Sequence, residues 1–343
     1  MIVYSKERVT CLLEDHTRKS SSFVMMICVL LIMLIIVPLG LPADRTLAAV
    51  TVHPLATKAA EKAFKEGGNA VDAAVASALT LGVVDGFNSG IGGGCFMLIR
   101  KSDGEFIAID GRETAPSKAS RDMYLRDGIA KSELSQTGAL AIGIPGALAA
   151  YNLAINKYGN LDFAKLLRQA AMIADEGFLL DDSYLVRLKK VVNKLRLFPA
   201  SSRIFLDSNG SPWPKGYRLK QSDLAKSYRN IANHSVDWFY KGPFAIKTEQ
   251  WMVLNDGLIV HEDFISYEAK RREPVRTTYR DHEIIGFPPP SSGGVHVAQI
   301  LNILENFDLF SMAPDSSEFV HIVTEAMRLA FVDRSYWLGD ADF

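Results

Sequence analysis

Three cysteines in 343 residues are too few to staple a disulfide scaffold, and no CxxC pair stands ready for zinc. Cys11 and Cys28 precede the main body of the sequence, so that body carries Cys95 alone and forms no internal disulfide. The seven histidines are scattered with no HxxxH or HxH spacing, and no metal site is read from them. Neither sign of charge prevails: 38 Lys and Arg stand against 39 Asp and Glu, for a net charge of −1. That balance argues against a nucleic-acid binder, which needs a basic patch or stripe. At 22% charged and 48% hydrophobic residues, the composition excludes a disordered or collagen-like chain. From Val50 onward there is no repeat, low-complexity tract or linker, and the length suffices for one large core or two smaller ones.

One hydrophobic run is long. Phe23 to Leu41 (FVMMICVLLIMLIIVPLGL) gives 19 residues without a charge, the length a helix needs to cross a bilayer core of about 30 Å. Arg18 and Lys19 precede it, so residues 1–22 are expected to stay in the cytoplasm and the rest to be exported. Ala48 and Ala49 offer small residues for a signal peptidase. Residues 23–41 are therefore read as a signal peptide or signal anchor. The body from residue 50 is expected to be periplasmic or extracellular, tethered to the membrane if the run is not cleaved.

Within that body, residues 55–66 have helical spacing and stop at Gly67-Gly68, and Asn69 can cap a second, Ala-rich helix over 70–84. A glycine cluster, Gly90-Ile91-Gly92-Gly93-Gly94, leads into CFMLIR and EFIAID, which flank the turn KSDG as a β-hairpin. Helices are expected over 144–158 and 162–176, then a polar stretch containing Pro and Trp to about 216. Short helices follow near 222–232 and 261–269. A second hairpin over 275–287 turns at Arg280-Asp281, and helices lie near 295–306 and 317–334. Strands in hairpins favour an α+β or layered α/β sandwich over a doubly wound sheet.

The glycine cluster is no nucleotide fingerprint: GxGxxG would need a glycine where Cys95 stands, and the glycines follow a helix and precede a strand. A turn where backbone passes close to another strand or to a substrate is the simpler account. Arg112, in Asp110-Gly111-Arg112-Glu113, ends the first hairpin beside the glycines. Its guanidinium can grip a carboxylate bidentately, or pair with Glu113 or another acid on the surface. Pro288-Pro289-Pro290-Ser291-Ser292-Gly293-Gly294 reads as a rigid loop between strand and helix, and Ser291 and Ser292 sit in no GxSxG elbow.

Taken together, these stretches resemble the large subunit of the γ-glutamyltransferase family (γ-glutamyl transpeptidase, glutathione hydrolase). The resemblance is carried by HPLA (53–56), GGNAVDAAVASALTLGVV (67–84), SGIGGGCFMLI (89–99), IDGRETAPSKA (109–119), TGALAIGIPGALAA (137–150), PPPSSGG (288–294) and EAMRLAFVDRSYWLGDADF (325–343). It runs from about residue 50 to residue 343 and implies an N-terminal-nucleophile hydrolase, an αββα sandwich made as one precursor that cuts itself in two. The implied reaction is attack by a new N-terminal threonine on the γ-amide of glutathione or a related compound. A γ-glutamyl enzyme forms and passes its acyl group to water or to an amino acid or peptide.

The resemblance places the donor's α-carboxylate on Arg112, implies no cofactor, and makes the small subunit of the same precursor the partner. No catalytic residue is carried over: the nucleophilic threonine is expected beyond Phe343, so residues 50–343 represent the large-subunit part of an incomplete sandwich that is inert by itself. Thr277-Thr278 match a structural part of the family's large subunit. Cys95 stands where another glycine is common, and Asp85-Gly86-Phe87 departs from the usual acidic residue, proline and small or aromatic residue. Two alternatives share the sequence: a non-catalytic, membrane-tethered γ-glutamyl-binding protein, and a relative acting on poly-γ-glutamate or on β-lactam side-chain amides.

Overall fold

A computed structural model describes residues 47–340 together with Asp342; the expected n-region, 1–22, and the apolar run, 23–41, lie outside the described residues. Among the described residues no helix is long and apolar enough to cross a membrane.

The first helix, α1 (Pro54–Lys65), starts at His53, whose Nδ1 accepts the Leu55 N–H at 3.1 Å. It ends at Gly67, which takes a φ of +88° while its N–H and that of Gly68 bond back to Phe64 and Ala63, the left-handed stop that glycine adopts most readily. The next helix, α2 (Ala70–Val84), begins in a capping box between Asn69 and Asp72. It is buried on nearly every face, as its predominance of Ala, Val and Leu requires. Asp72 is fully buried. Its carboxylate accepts the N–H groups of Asn69, Asn160 and Leu161, joining the start of α2 to a turn almost ninety residues away.

Two strands follow, β1 (Cys95–Arg100) and β2 (Phe106–Gly111), paired antiparallel from Cys95↔Gly111 to Arg100↔Phe106. After a small ribbon of β3 (Leu125–Arg126) and β4 (Ile129–Ala130) come α3 (Ala147–Tyr158) and α4 (Phe163–Glu176). The polar stretch to about 216 was given no elements from the sequence. It holds α5 (Asp182–Arg196) and α6 (Pro199–Phe205), preceded by β5 (Phe178–Leu179). The Asp181 carboxylate caps α5 on the Tyr184 N–H, and Tyr184 and Leu188 bury one face; the polar residues between them are its solvent side.

β6 (Arg218–Leu219) pairs with β5 and leads into α7 (Ser222–His234), the short α8 (Asp237–Tyr240), then α9 (Pro243–Leu254) and α10 (His261–Ile265). α9 is a helix the sequence reading did not assign, and α10 stops four residues earlier than expected. The remaining elements are β7 (Lys270–Arg272), the hairpin β8 (Val275–Tyr279) and β9 (His282–Gly286), then α11 (Ser292–Leu304) and α12 (Ser317–Trp337). α11 starts at Ser292 because the Ser291 hydroxyl caps it by accepting the Gly293 N–H, so Gly293 and Gly294 belong to its first turn rather than to the loop.

The layering is helix, sheet, sheet, helix. One sheet has the order β1-β2-β7, with β7 added antiparallel to β2 although 160 residues separate them in sequence. α3 covers one face of this sheet, while α1, α2, α4 and α7 build the core beyond it around Leu79, Leu166, Leu167 and Tyr228. The Tyr228 hydroxyl donates to the Leu79 carbonyl at 3.0 Å. On the other face, hairpin β8–β9 approaches through Phe287 against Phe96 and Arg276 over Phe106, and α11 backs that hairpin, with α12 packed on α11. This is the αββα sandwich that the resemblance implies.

Two predictions follow from the caps. Asp72→Asn removes acceptor capacity from a buried site with three N–H donors and is expected to destabilise the fold by about 1.5–3 kcal/mol; an unchanged midpoint in urea would show the latch to be idle. Burial holds the His53 pKa below its ordinary value, against opposing pulls from Asp181 and Asp85. A lowered histidine pKa means that the unfolded state binds the proton more tightly. The cap's stability is then complete above about pH 6.5 and declines as the pH falls through that value. The protection factor of the Leu55 amide, its exchange compared with the intrinsic rate at the same pH, is expected to fall on acidification to pH 5, and His53→Asn to flatten that dependence.

Candidate functional site

Strand alternation sorts the residues around Arg112. On β1 and β2, Cys95, Met97, Ile99, Ile107, Ile109 and Gly111 face α3, whereas Phe96, Leu98, Ala108 and Asp110 face the space between the sheets. Arg112, one residue past β2, continues the second set. The glycines lie on the other side. A Cβ on Gly111 would fall 2.5 Å from Ala150 Cβ, and one on Gly146 would fall 2.4 Å from the Gly111 carbonyl oxygen and closer still to the Tyr267 hydroxyl. The Gly93 carbonyl accepts the N–H groups of both Gly146 and Ala147 at 3.0 Å, taking the place of the side-chain cap that α3 does not have. The glycine cluster is thus a site of close backbone approach, the simpler of the two accounts its sequence allowed.

The Arg112 side chain is exposed and lies over the Phe96 ring, 5.9 Å from its centroid; Phe96 in turn packs on Phe287 at 4.3 Å. Three separate motifs, the glycine-rich segment, the DGRE turn and the strand leading into the proline run, therefore meet at one side chain. The backbone of Arg112 is held at both polar groups. Its N–H donates to Asp110 Oδ1 at 3.0 Å, and its carbonyl accepts from the Tyr267 hydroxyl at 2.7 Å.

The charges here are mostly matched. Asp110, buried, accepts from Arg272 Nε at 2.6 Å, and Arg272 reaches Asp342 with its other two nitrogens at 2.6 and 3.3 Å. Lys270 also meets Asp342, at 2.6 Å. These contacts raise the Arg272 pKa, Asp342 contributing first, and hold the Asp342 carboxyl well below the usual carboxylate range. Glu113 turns away from Arg112 toward the glycines: a Cβ on Gly94 would lie 2.6 Å from Glu113 Oε2. The surface pair between Arg112 and Glu113 that the sequence allowed is not formed, and among the described residues Arg112 has no carboxylate partner while Lys270 and Arg272 both do.

Burial pushes the Cys95 thiol up to about 12, Glu113 and Asp110 adding to the shift, so it carries no thiolate at neutral pH. The Thr277 hydroxyl donates to Asn302 Oδ1 on α11, a structural bond between hairpin and helix. Among the described residues no three His, Cys, Asp or Glu side chains are grouped to hold a metal ion. Asp110, Tyr267 and Arg272 were not singled out from the sequence. Alternation along β2 signals Asp110; nothing local signals the other two, which arrive from more than 150 residues away.

A family model described as Gamma-glutamyltranspeptidase matches residues 56–343. The glutathione hydrolase proenzyme of Escherichia coli (strain K12) is 43% identical over 294 residues, covering 85% of this chain and 51% of the relative. The acylase ACY 1 proenzyme of Pseudomonas sp. (strain SE83) is 39% identical over 301 residues, covering 86% and 54% respectively. The crystal structure of Helicobacter pylori gamma-glutamyltranspeptidase superposes with a TM-score of 0.85 at 39% identity, over 88% of this chain and 87% of that one. The chain spans about half the length of the curated relatives it matches.

The close approach of Gly146 generates a prediction. Gly146→Ala is expected to destabilise the fold by about 1–3 kcal/mol through overpacking. Adding Tyr267→Phe, which removes the hydroxyl in the way, is expected to recover part of the loss in a double-mutant cycle followed by thermal unfolding. Strict additivity of the two changes would contradict the contact.

Proposed function

The chain belongs to the gamma-glutamyltranspeptidase family, and on that premise we propose that it forms the large-subunit part of an exported enzyme that cleaves the γ-glutamyl amide of glutathione and related compounds. The observation that carries this reading is Arg112: an exposed guanidinium without a carboxylate partner among the described residues, seated on Phe96 between two sheets and held by its backbone. A guanidinium so placed can take the donor's α-carboxylate in a fork of two charge-assisted hydrogen bonds and present the γ-amide at a fixed distance from it.

The nucleophile comes from a second segment beyond Phe343, as an N-terminal threonine freed when the precursor cuts itself. Its α-amine takes the hydroxyl proton as oxygen attacks the γ-carbonyl; the amine leaving group departs protonated, and water or an amino acid then releases the acyl group. Two facts support a second segment. The relatives that match are proenzymes about twice as long as the matched region. Apolar side chains also stand exposed on β1 (Leu98) and along α12 (Phe331, Val332, Tyr336, Trp337), where α12 buries only Ala326 and Ala330. Residues 23–41 direct export, and they tether the body to the outer side of the membrane if they are not removed.

The acylase relative favours a second reading, an enzyme of the same fold acting on another amide. Arg112 separates the two, because only a donor with a carboxylate at this place gains from it. In the processed enzyme, this chain joined to its second segment, Arg112→Ala is expected to raise KM for a γ-glutamyl anilide by about 10- to 150-fold, the worth of a charge-assisted pair. Arg112→Lys is expected to do the same to a smaller degree, because it keeps the charge and loses the fork. An unchanged KM in both variants would refute the assignment.

A further inference from the structure

Both backbone polar groups of Arg112 are engaged by side chains, although the residue is exposed and water could serve them at no structural cost. The carbonyl receives the Tyr267 hydroxyl and the N–H goes to Asp110. Neither partner is loosely placed. The Tyr267 ring stacks on Tyr240, 5.8 Å between centroids and 10° apart, and the Tyr240 hydroxyl donates to the Pro145 carbonyl and accepts the Ala149 N–H. Tyr267 thus rests on the first turn of α3, and Gly146 leaves the space its hydroxyl occupies. Burial raises the Tyr267 pKa, with Asp110 nearby adding to the shift, so the phenol remains a donor at any working pH. Asp110 is set in turn by Arg272, whose Nε holds the oxygen that Arg112 does not use.

We propose that Tyr267, and Arg272 acting through Asp110, are positioning residues that fix the backbone of Arg112 and so set the aim of its guanidinium at the donor's α-carboxylate. The inference rests on the carboxylate-binding reading of Arg112 given above. Arginine carries four side-chain torsions, so a Cα free to shift would spread the fork over many directions. Pinning N–H and C=O removes the two peptide-plane rotations that move the whole side chain. The two pins come from β2 itself and from the segment joining α10 to β7, and that segment is locked to the same sheet by the pairing of β7 with β2. A purely structural role would also hold this corner together, and the two roles differ in what they do to substrate choice.

The test compares two donors in the processed enzyme: a γ-glutamyl anilide and its counterpart without the α-carboxylate, a 4-aminobutanoyl anilide. The readout is the ratio of kcat/KM values between them. Arg112→Ala serves as the reference and is expected to collapse the ratio. Tyr267→Phe and Arg272→Gln are each expected to lower it on the order of tenfold, mainly through KM of the carboxylate-bearing donor, with kcat changing less. Arg272→Lys, which can still reach Asp110, is expected to restore part of the ratio. If Arg112→Ala collapses the ratio while Tyr267→Phe and Arg272→Gln slow both donors equally, the two residues are structural and the inference fails alone. If Arg112→Ala leaves the ratio intact, the carboxylate-binding reading fails and the inference goes with it. Tyr267→Phe removes a single oxygen and keeps the stacked ring, so the test survives should Arg272→Gln fold poorly.

Discussion

Three pieces of backbone meet beneath Arg112 with no side chain between them. Gly93 offers its carbonyl to the first two amides of α3, Gly111 ends β2 against Ala150, and Gly146 lets the helix start within reach of the Gly111 carbonyl. Any β-carbon at Gly111 or Gly146 would hold the helix away from the sheet. The contact sets the distance between α3 and β2, fixes where β2 ends, and by alternation decides that Asp110 and Arg112 look into the space between the sheets. The surrounding charges follow from that one geometric requirement.

The electrostatic arrangement is selective by subtraction. Lys270, Arg272 and Arg112 bring three cations to one face, and Asp110 and Asp342 occupy the first two. The buried Asp110 is tolerable only because Arg272 neutralises it and two donors satisfy its oxygens. Of these three cations Arg112 alone has no carboxylate partner among the described residues, and it lies on the Phe96 ring. The Arg112 guanidinium is thus open to a new anion without the loss of an internal ion pair.

Much of this was legible in the sequence. The caps at Asn69 and Gly67, both hairpins and the glycine cluster's role in close packing follow from turn chemistry and period-two alternation. The likeness to a known family supplied the sandwich and singled out Arg112. The misses have physical causes. The helix Asp182–Arg196 was hidden because only Tyr184 and Leu188 are buried, so its solvent face dominated the composition. Helix Pro243–Leu254 shows almost no segregation of apolar from polar residues, and periodicity had little to detect there. Tyr267 and Arg272 belong to segments that carry no local motif; what makes them matter is the contact they reach, which one-dimensional spacing does not encode.

The strand that completes the first sheet arrives late. β1 and β2 pair across a five-residue connection and need nothing further along the chain, while β7 must return across some 160 residues to lie beside β2. Closing so long a loop is slow relative to forming a hairpin. As the chain emerges, Arg112 and the Asp110 that takes its N–H are therefore in place long before Tyr267 and Arg272 arrive to complete the hold. A corner built this way is finished only when the last third of the described fold has been made, and the same delay separates the appearance of Arg112 from the full fixing of its backbone.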